Sequence, residues 1–125
     1  KFLNWAKNKN ISMGVCTNKQ ERLAVDLLKK LDMTKYFEYI AGSDTFAFNK
    51  PDPRHLTGVV EIIGGDLKKT IMVGDSEVDA NSAHNANLPF VLVKDGYTEK
   101  SEKEIKHDEL ISDFVGFEKI IEKYL

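Results

Sequence analysis

The chain has 125 residues, the size of one domain with a single core. Its formal charge of -2 and pI near 5.9, with acids and bases interspersed, exclude the basic face that a nucleic-acid backbone binder needs. No apolar run approaches the roughly 18 residues that cross a bilayer, and the single cysteine, Cys16, excludes an intrachain disulfide. A reducing, cytoplasmic setting is the simpler expectation. The sequence begins at Lys1 without a signal-peptide pattern, directly in a helix-like stretch, as if cut from a longer polypeptide.

Phe2, Leu3 and Ala6, with Trp5 beside them, predict a short helix with one apolar face. Ile11 to Cys16 reads as a strand that ends at the small polar pair Thr17-Asn18. In the next helix Leu23, Leu27, Leu28 and Leu31 fall on one face at helical spacing. Phe37 to Ala41 is a short strand closed by Gly42-Ser43-Asp44. Lys50-Pro51-Asp52-Pro53 then leads into a helix striped by Leu56, Val59, Val60 and Ile63 and ended by Gly64-Gly65. Thr70 to Val73 is an apolar run stopping at Gly74, as a strand buried on both faces does. A helix carrying Ala80, Ala83 and Ala86 follows, then a strand through Phe90 to Val93. The mixed-sign run from Glu99 to Glu109 reads as a solvated loop. A short strand at Leu110-Ile111 and a last helix with Phe117, Ile120, Ile121 and Tyr124 toward the core close the chain. Strands alternating with helices predict an α/β fold, a doubly wound parallel sheet with helices on both faces.

Three strand ends carry polar groups of distinct kinds. Asp75 leaves the strand at Gly74, and Asp79 sits about one turn into the next helix, so two carboxylates share one end of the sheet. A divalent cation such as Mg²⁺ is the usual resolution of such a pair. Thr17 offers a hydroxyl ahead of helix amides that can cradle an anion, and Lys50 offers a positive charge. Together these suit a transferring phosphoryl group, whose transition state spreads negative charge over its equatorial oxygens. Taken singly, each has a plainer reading: a threonine after a strand is more often a cap, a lysine before proline a surface residue, and an aspartate pair at a helix start a capping feature.

In order and context the segments resemble the haloacid dehalogenase-like (HAD) phosphohydrolases, most closely the phosphoglycolate phosphatase group. Val15-Cys16-Thr17-Asn18-Lys19 is similar to the family's second motif, Asn49-Lys50-Pro51-Asp52-Pro53 to its third, and Val73-Gly74-Asp75-Ser76-Glu77-Val78-Asp79 to its fourth. Gly42-Ser43-Asp44 and Gly96-Tyr97 extend the likeness over nearly the whole chain. The resemblance implies that Thr17 and the Asn18 backbone bind the phosphoryl group of a small phosphorylated metabolite. It further implies that Lys50 neutralises charge beside the nucleophile, that Asp75 ligates Mg²⁺, and that Asp79 holds Lys50 or a metal-bound water. The implied activity is phosphomonoester hydrolysis through an aspartyl-phosphate.

The family's first motif, Asp-x-Asp-x-Thr/Val on the central strand of its sheet, is absent from these residues. Residues 1–125 therefore read as the C-terminal part of a HAD-like core domain, without first motif or cap. Inactivity alone and self-association through unpaired sheet edges are expected. A receiver-type phosphoacceptor domain uses similar groups in a different order, with the acidic pair first and Lys-Pro last. A non-catalytic HAD-like binding module differs from the enzyme only in the upstream sequence. Cys16 reads as a core thiol; His55, His84 and His107 lack metal-ligand spacing, with His84 alone within a turn of Asp79. Arg54 and Lys19 flank the motifs and could meet a substrate carboxylate.

Overall fold

The computed structural model describes residues 2–93, 105–111 and 114–124. Asp95, the Gly96-Tyr97 pair and the charged run from Glu99 to Glu104 lie outside them. Among the described residues the helices α1 (Phe2–Asn8), α2 (Glu21–Lys30), α3 (Arg54–Ile62), α4 (Glu77–Asn85) and α5 (Phe117–Glu122) are interspersed with the strands β1 (Gly14–Cys16), β2 (Tyr39–Ala41), β3 (Met72–Gly74), β4 (Phe90–Val93) and β5 (Glu109–Ile111), helix and strand alternating as far as β4. Every strand pair is parallel, β1 with β2, β3 with β4 and β4 with β5.

Side-chain alternation along β4 explains how both faces are covered. Phe90 and Leu92 point into one cluster with Leu56 of α3 and Ala80 and Ala83 of α4. Val91 and Val93 point the other way, toward Phe117 and Ile121 of α5 and Phe2 and Trp5 of α1. Phe2 sits 4.6 Å, centroid to centroid, from Phe117, which joins the two ends of the described chain. The small residues of α4 let it lie close on β3 and β4, as the alanine spacing predicts.

The strands form two sheets, β1-β2 and β3-β4-β5, and no backbone ladder joins β1 to β3 among the described residues. The inner edges of β1 and β3 are therefore unpaired there. Side chains cross the gap instead: Cys16 packs on the first cluster and Ile11 on the second. The strand expected over Ile11 to Cys16 is regular only over Gly14–Cys16. Its ladder is limited by the three residues of β2, with one further bond at each end, Glu38 N–H to the Met13 carbonyl at 2.8 Å and Thr17 N–H to Ala41 at 3.0 Å. The strand expected from Phe37 starts at Tyr39, because Thr34–Tyr36 closes as a 3-10 turn.

The leucine stripe of α2 departs from its expected burial. Ala24 is the buried residue and Leu28 is half-buried, whereas Leu23, Leu27 and Leu31 are 46%, 45% and 56% exposed. The reason is width: α2 packs mainly on β2 and the 3-10 turn, and a helix about 10 Å across overhangs a two-stranded sheet whose strands lie about 4.8 Å apart. At the other end of the fold, Ile121 is buried and Ile120 packs on the second cluster, while Tyr124 lies beyond the end of α5 and is half-buried.

The loops after β1 and β2 are bound backbone to backbone. Ser43 N–H donates to the Lys19 carbonyl at 2.8 Å, and a Cβ on Gly42 would stand 2.2 Å from the Glu21 nitrogen and 2.6 Å from the Lys19 oxygen. Main-chain atoms cannot step aside as a flexible side chain can. Gly42→Ala is expected to destabilise the chain by about 3 kcal/mol or more, read as a fall in the thermal midpoint; an unchanged midpoint would show that the approach is looser than described.

Candidate active site

The carboxyl ends of β1 and β3 open on one cavity of about 390 Å³. Thr17 lines it after β1, Lys50 from the loop ahead of α3, and Gly74, Asp75 and Asp79 from the β3–α4 turn. Cys16, Met72, Val73 and Val93 supply the apolar part of the lining. The four sequence-predicted side chains Thr17, Lys50, Asp75 and Asp79 thus converge although 62 positions separate the first from the last.

At the centre, Lys50 Nζ donates to Asp79 Oδ1 in an ion pair whose side chains are 9% and 10% exposed. The other oxygen, Asp79 Oδ2, accepts the Asp75 amide at 3.1 Å, and Ser76 Oγ caps α4 by accepting the Asp79 amide at 3.2 Å. A Cβ on residue 74 would come 2.5 Å from both Cβ and Oδ2 of Asp79, so the strand can pass this carboxylate only as glycine. Asp75 itself is exposed at the cavity mouth.

On the opposite wall Thr17 Oγ1 accepts the Lys19 amide at 3.1 Å, which leaves the hydroxyl proton to donate elsewhere. The expected cradle of free helix amides is narrower than its sequence reading. Gln20 at the start of α2 makes no side-chain cap, and the Glu21 amide is taken by Asp44 Oδ1 at 2.8 Å. The Asn18 amide has no partner among the described residues, while the Asn18 side chain donates to the Lys50 carbonyl at 3.1 Å. Thr45 Oγ1 completes this junction, accepting from Gly42 N–H at 2.8 Å and donating to Glu21 Oε1 at 2.9 Å.

Several contacts are not foretold by the sequence, even where the residue lies in a quoted segment, as Asp44 and Asn49 do. Asp44 caps a helix 23 positions upstream, and Asn49 Nδ2 holds the Ser43 carbonyl at 3.0 Å. Asn85, at the end of α4, donates to the Pro51 carbonyl at 3.3 Å. No local spacing foretells such long-range contacts. Arg54, weighed as a carboxylate receptor, is already committed: its Nε and Nη2 reach both oxygens of Asp52, and its guanidinium lies 4.4 Å from the Phe48 ring centroid. Those bonds hold the Asp52 carboxyl down to about 2. His84 points away from the cavity chemistry, with Nε2 2.9 Å from the Lys106 carbonyl. His55 is fully buried, its Nε2 3.1 Å from the Gly42 carbonyl, and Lys19 is exposed.

Among the described residues no group of three or more His, Cys, Asp or Glu side chains is arranged around a metal position, and no helix is long and apolar enough to cross a membrane. The donor chemistry still fits Mg²⁺ in one limited sense. Mg²⁺ is typically held by one or two carboxylates with waters and phosphate oxygens completing the shell, and Asp75 is an accessible hard-oxygen donor beside the cavity.

Comparison with known proteins gives a consistent picture. A family model described as haloacid dehalogenase-like hydrolase matches residues 1–93. A phosphoglycolate phosphatase of Agrobacterium fabrum is 48% identical over 118 residues, covering 90% of this chain and 51% of that protein. One from Mesorhizobium japonicum is 45% identical over 102 residues, covering 82% and 45%. The crystal structure of a predicted phosphoglycolate phosphatase from Haemophilus somnus 129pt superimposes with a TM-score of 0.88 at 26% identity, over 94% of this chain and 53% of that one. The chain spans about half the length of the curated relatives it matches.

Cys16 lines the cavity without being suited to attack. Burial pushes its thiol up to about 12, with smaller opposing effects from Lys50, which lowers it, and Asp79, which raises it. At pH 8 the thiolate is scarce, so alkylation by iodoacetamide is expected to run about a thousandfold slower than for a free cysteine. Rapid labelling of the folded chain would contradict the raised thiol.

Proposed function

The chain belongs to the haloacid dehalogenase-like hydrolase family, and from that premise we propose that it is part of a phosphomonoester hydrolase of the phosphoglycolate phosphatase kind. The single observation that carries this reading is the convergence of a hydroxyl, a buried lysine and two aspartates on one cavity at the ends of separate strands. Relatives named phosphoglycolate phosphatase make that small phosphorylated acid the first substrate to assay. A cytoplasmic setting, read from the lone cysteine, belongs to the same proposal.

In this reading the Thr17 hydroxyl and the Asn18 amide donate to oxygens of the transferring phosphoryl group. Lys50 supplies positive charge beside it, and donors aimed at charge that grows in the transition state lower the barrier more than they tighten binding. Asp79 would not act as base: both its oxygens are engaged, one by Lys50 and one by the Asp75 amide, so its work is to hold the ammonium and the turn in place. Asp75 would hold Mg²⁺, which when bound neutralises phosphoryl charge.

The reactive aspartate is assigned to a segment outside these residues, which makes 1–125 the C-terminal part of the core domain. The unpaired inner edges of β1 and β3 support this, since a strand lying between them would complete one parallel sheet and bring its own carboxyl end to the cavity. That carboxylate would attack phosphorus, the bond from phosphorus to the substrate oxygen would break, and water would then release phosphate from the aspartyl ester. The same open edges are the reason to expect the chain to self-associate on its own.

In the full-length phosphatase, Lys50→Ala is expected to lower turnover of phosphoglycolate by at least about a hundredfold; normal turnover would overturn the assignment. The 125-residue chain alone is expected to release no phosphate from any phosphomonoester with Mg²⁺ present. Sustained Mg²⁺-dependent release by the chain would show that the nucleophile lies within it.

A further inference from the structure

Asp79 holds the ammonium of Lys50, and a second residue of the same helix binds the residue that follows Lys50 in the chain. Asn85, the last residue of α4, donates from Nδ2 to the Pro51 carbonyl at 3.3 Å, while Asp79 in the first turn takes Nζ of Lys50. Positions 79 and 85 stand at opposite ends of α4, about 120° apart around its axis. Six residues of helix rise about 9 Å, the reach of an extended lysine together with the peptide that carries it. Two adjacent residues are therefore bonded to one rigid element, Lys50 through its ammonium and Pro51 through its carbonyl.

Backbone chemistry explains why side-chain amides are needed here. Pro51 and Pro53 have no N–H, so this loop cannot be fastened through those donors and its carbonyls become the available handles. Two consecutive carbonyls are held from different sides, Lys50 by Asn18 at 3.1 Å and Pro51 by Asn85 at 3.3 Å. Of the two amides only that of Asn85 comes from the helix that also receives the ammonium.

We propose that Asn85 is a positioning residue for phosphoryl transfer. By tying the Pro51 carbonyl to the end of α4, it sets the point from which the Lys50 stem starts and so how far its ammonium reaches into the cavity. Asn85 touches no reacting atom. The inference rests on the reading of Lys50 as the phosphate-facing cation. A lysine set back from the phosphoryl group still permits binding through Thr17 and the Asn18 amide, so the loss falls on kcat rather than KM.

The test uses the full-length phosphatase with phosphoglycolate and the variants Asn85→Asp, Asn85→Ala, Lys50→Ala and Asn85→Asp/Lys50→Ala, with Asn81→Ala on the exposed side of α4 as control. Asn85→Asp keeps the shape and removes the donor. Both single Asn85 variants are expected to lose about tenfold in kcat with KM within about twofold, while Asn81→Ala behaves as wild type. In the Lys50→Ala background Asn85→Asp is expected to cost nothing further, because a residue acting through Lys50 has nothing left to position. If Lys50→Ala is inactive but Asn85→Asp turns over normally, the inference fails and the functional reading stands. A tenfold loss that persists in the Lys50→Ala background likewise overturns it, since Asn85 would then act elsewhere. Normal turnover by Lys50→Ala removes the functional reading itself.

Discussion

A buried ion pair between Lys50 and Asp79 ties together the parts of this molecule that the chain presents far apart. Moving a charge out of water costs several kcal/mol, and a partner of excellent geometry is what offsets it. That requirement reaches outward through ordinary bonds. Asp79 can meet Lys50 only if the turn after β3 is tight, which the Asp75 amide and the Ser76 cap enforce and which glycine at position 74 permits. Lys50 can meet Asp79 only if its loop is held between Asn18 and Asn85. Losing either charge would leave the other buried without compensation, which in general costs about 3–5 kcal/mol.

The same pair explains the division of labour between the two aspartates. They are four positions apart and look equivalent on paper. Burial separates them: Asp79 is inside, saturated and structural, while Asp75 is outside with its carboxylate accessible. Asp79 spends one bond of each oxygen inside the fold, whereas the Asp75 carboxylate is left open to solvent beside the cavity.

Much of this was legible in the residues because strand alternation and helical spacing are local. The apolar run at Phe90 to Val93, the Leu56–Val59–Val60 stripe and Ala80 and Ala83 of α4 carry their burial in their own periods. The run at Thr70 to Gly74, read as buried on both faces, is half-buried and regular only from Met72, because no described strand pairs with the β1-facing edge of β3. The stripe of α2 misled because period reports which residues share a face and says nothing about how wide a surface that face will meet. Thr17, Lys50, Asp75 and Asp79 were readable through motif context. Asn85 was not, nor were the partners of Asp44 and Asn49 although both lie in quoted segments, since a polar side chain acquires its role only from the carbonyl or amide that the fold carries to it.

The close seam between the loops after β1 and β2 has a mechanical corollary. Lys19, Glu21, Gly42, Ser43, Asp44 and Thr45 are fastened by main-chain and cap bonds so tight that neither loop can change length without the other. Insertions, which surface loops usually absorb at little cost, have no slack here. A change in the length of either loop therefore acts on the other, and through it on the Thr17 side of the cavity, so that wall behaves as one mechanical unit.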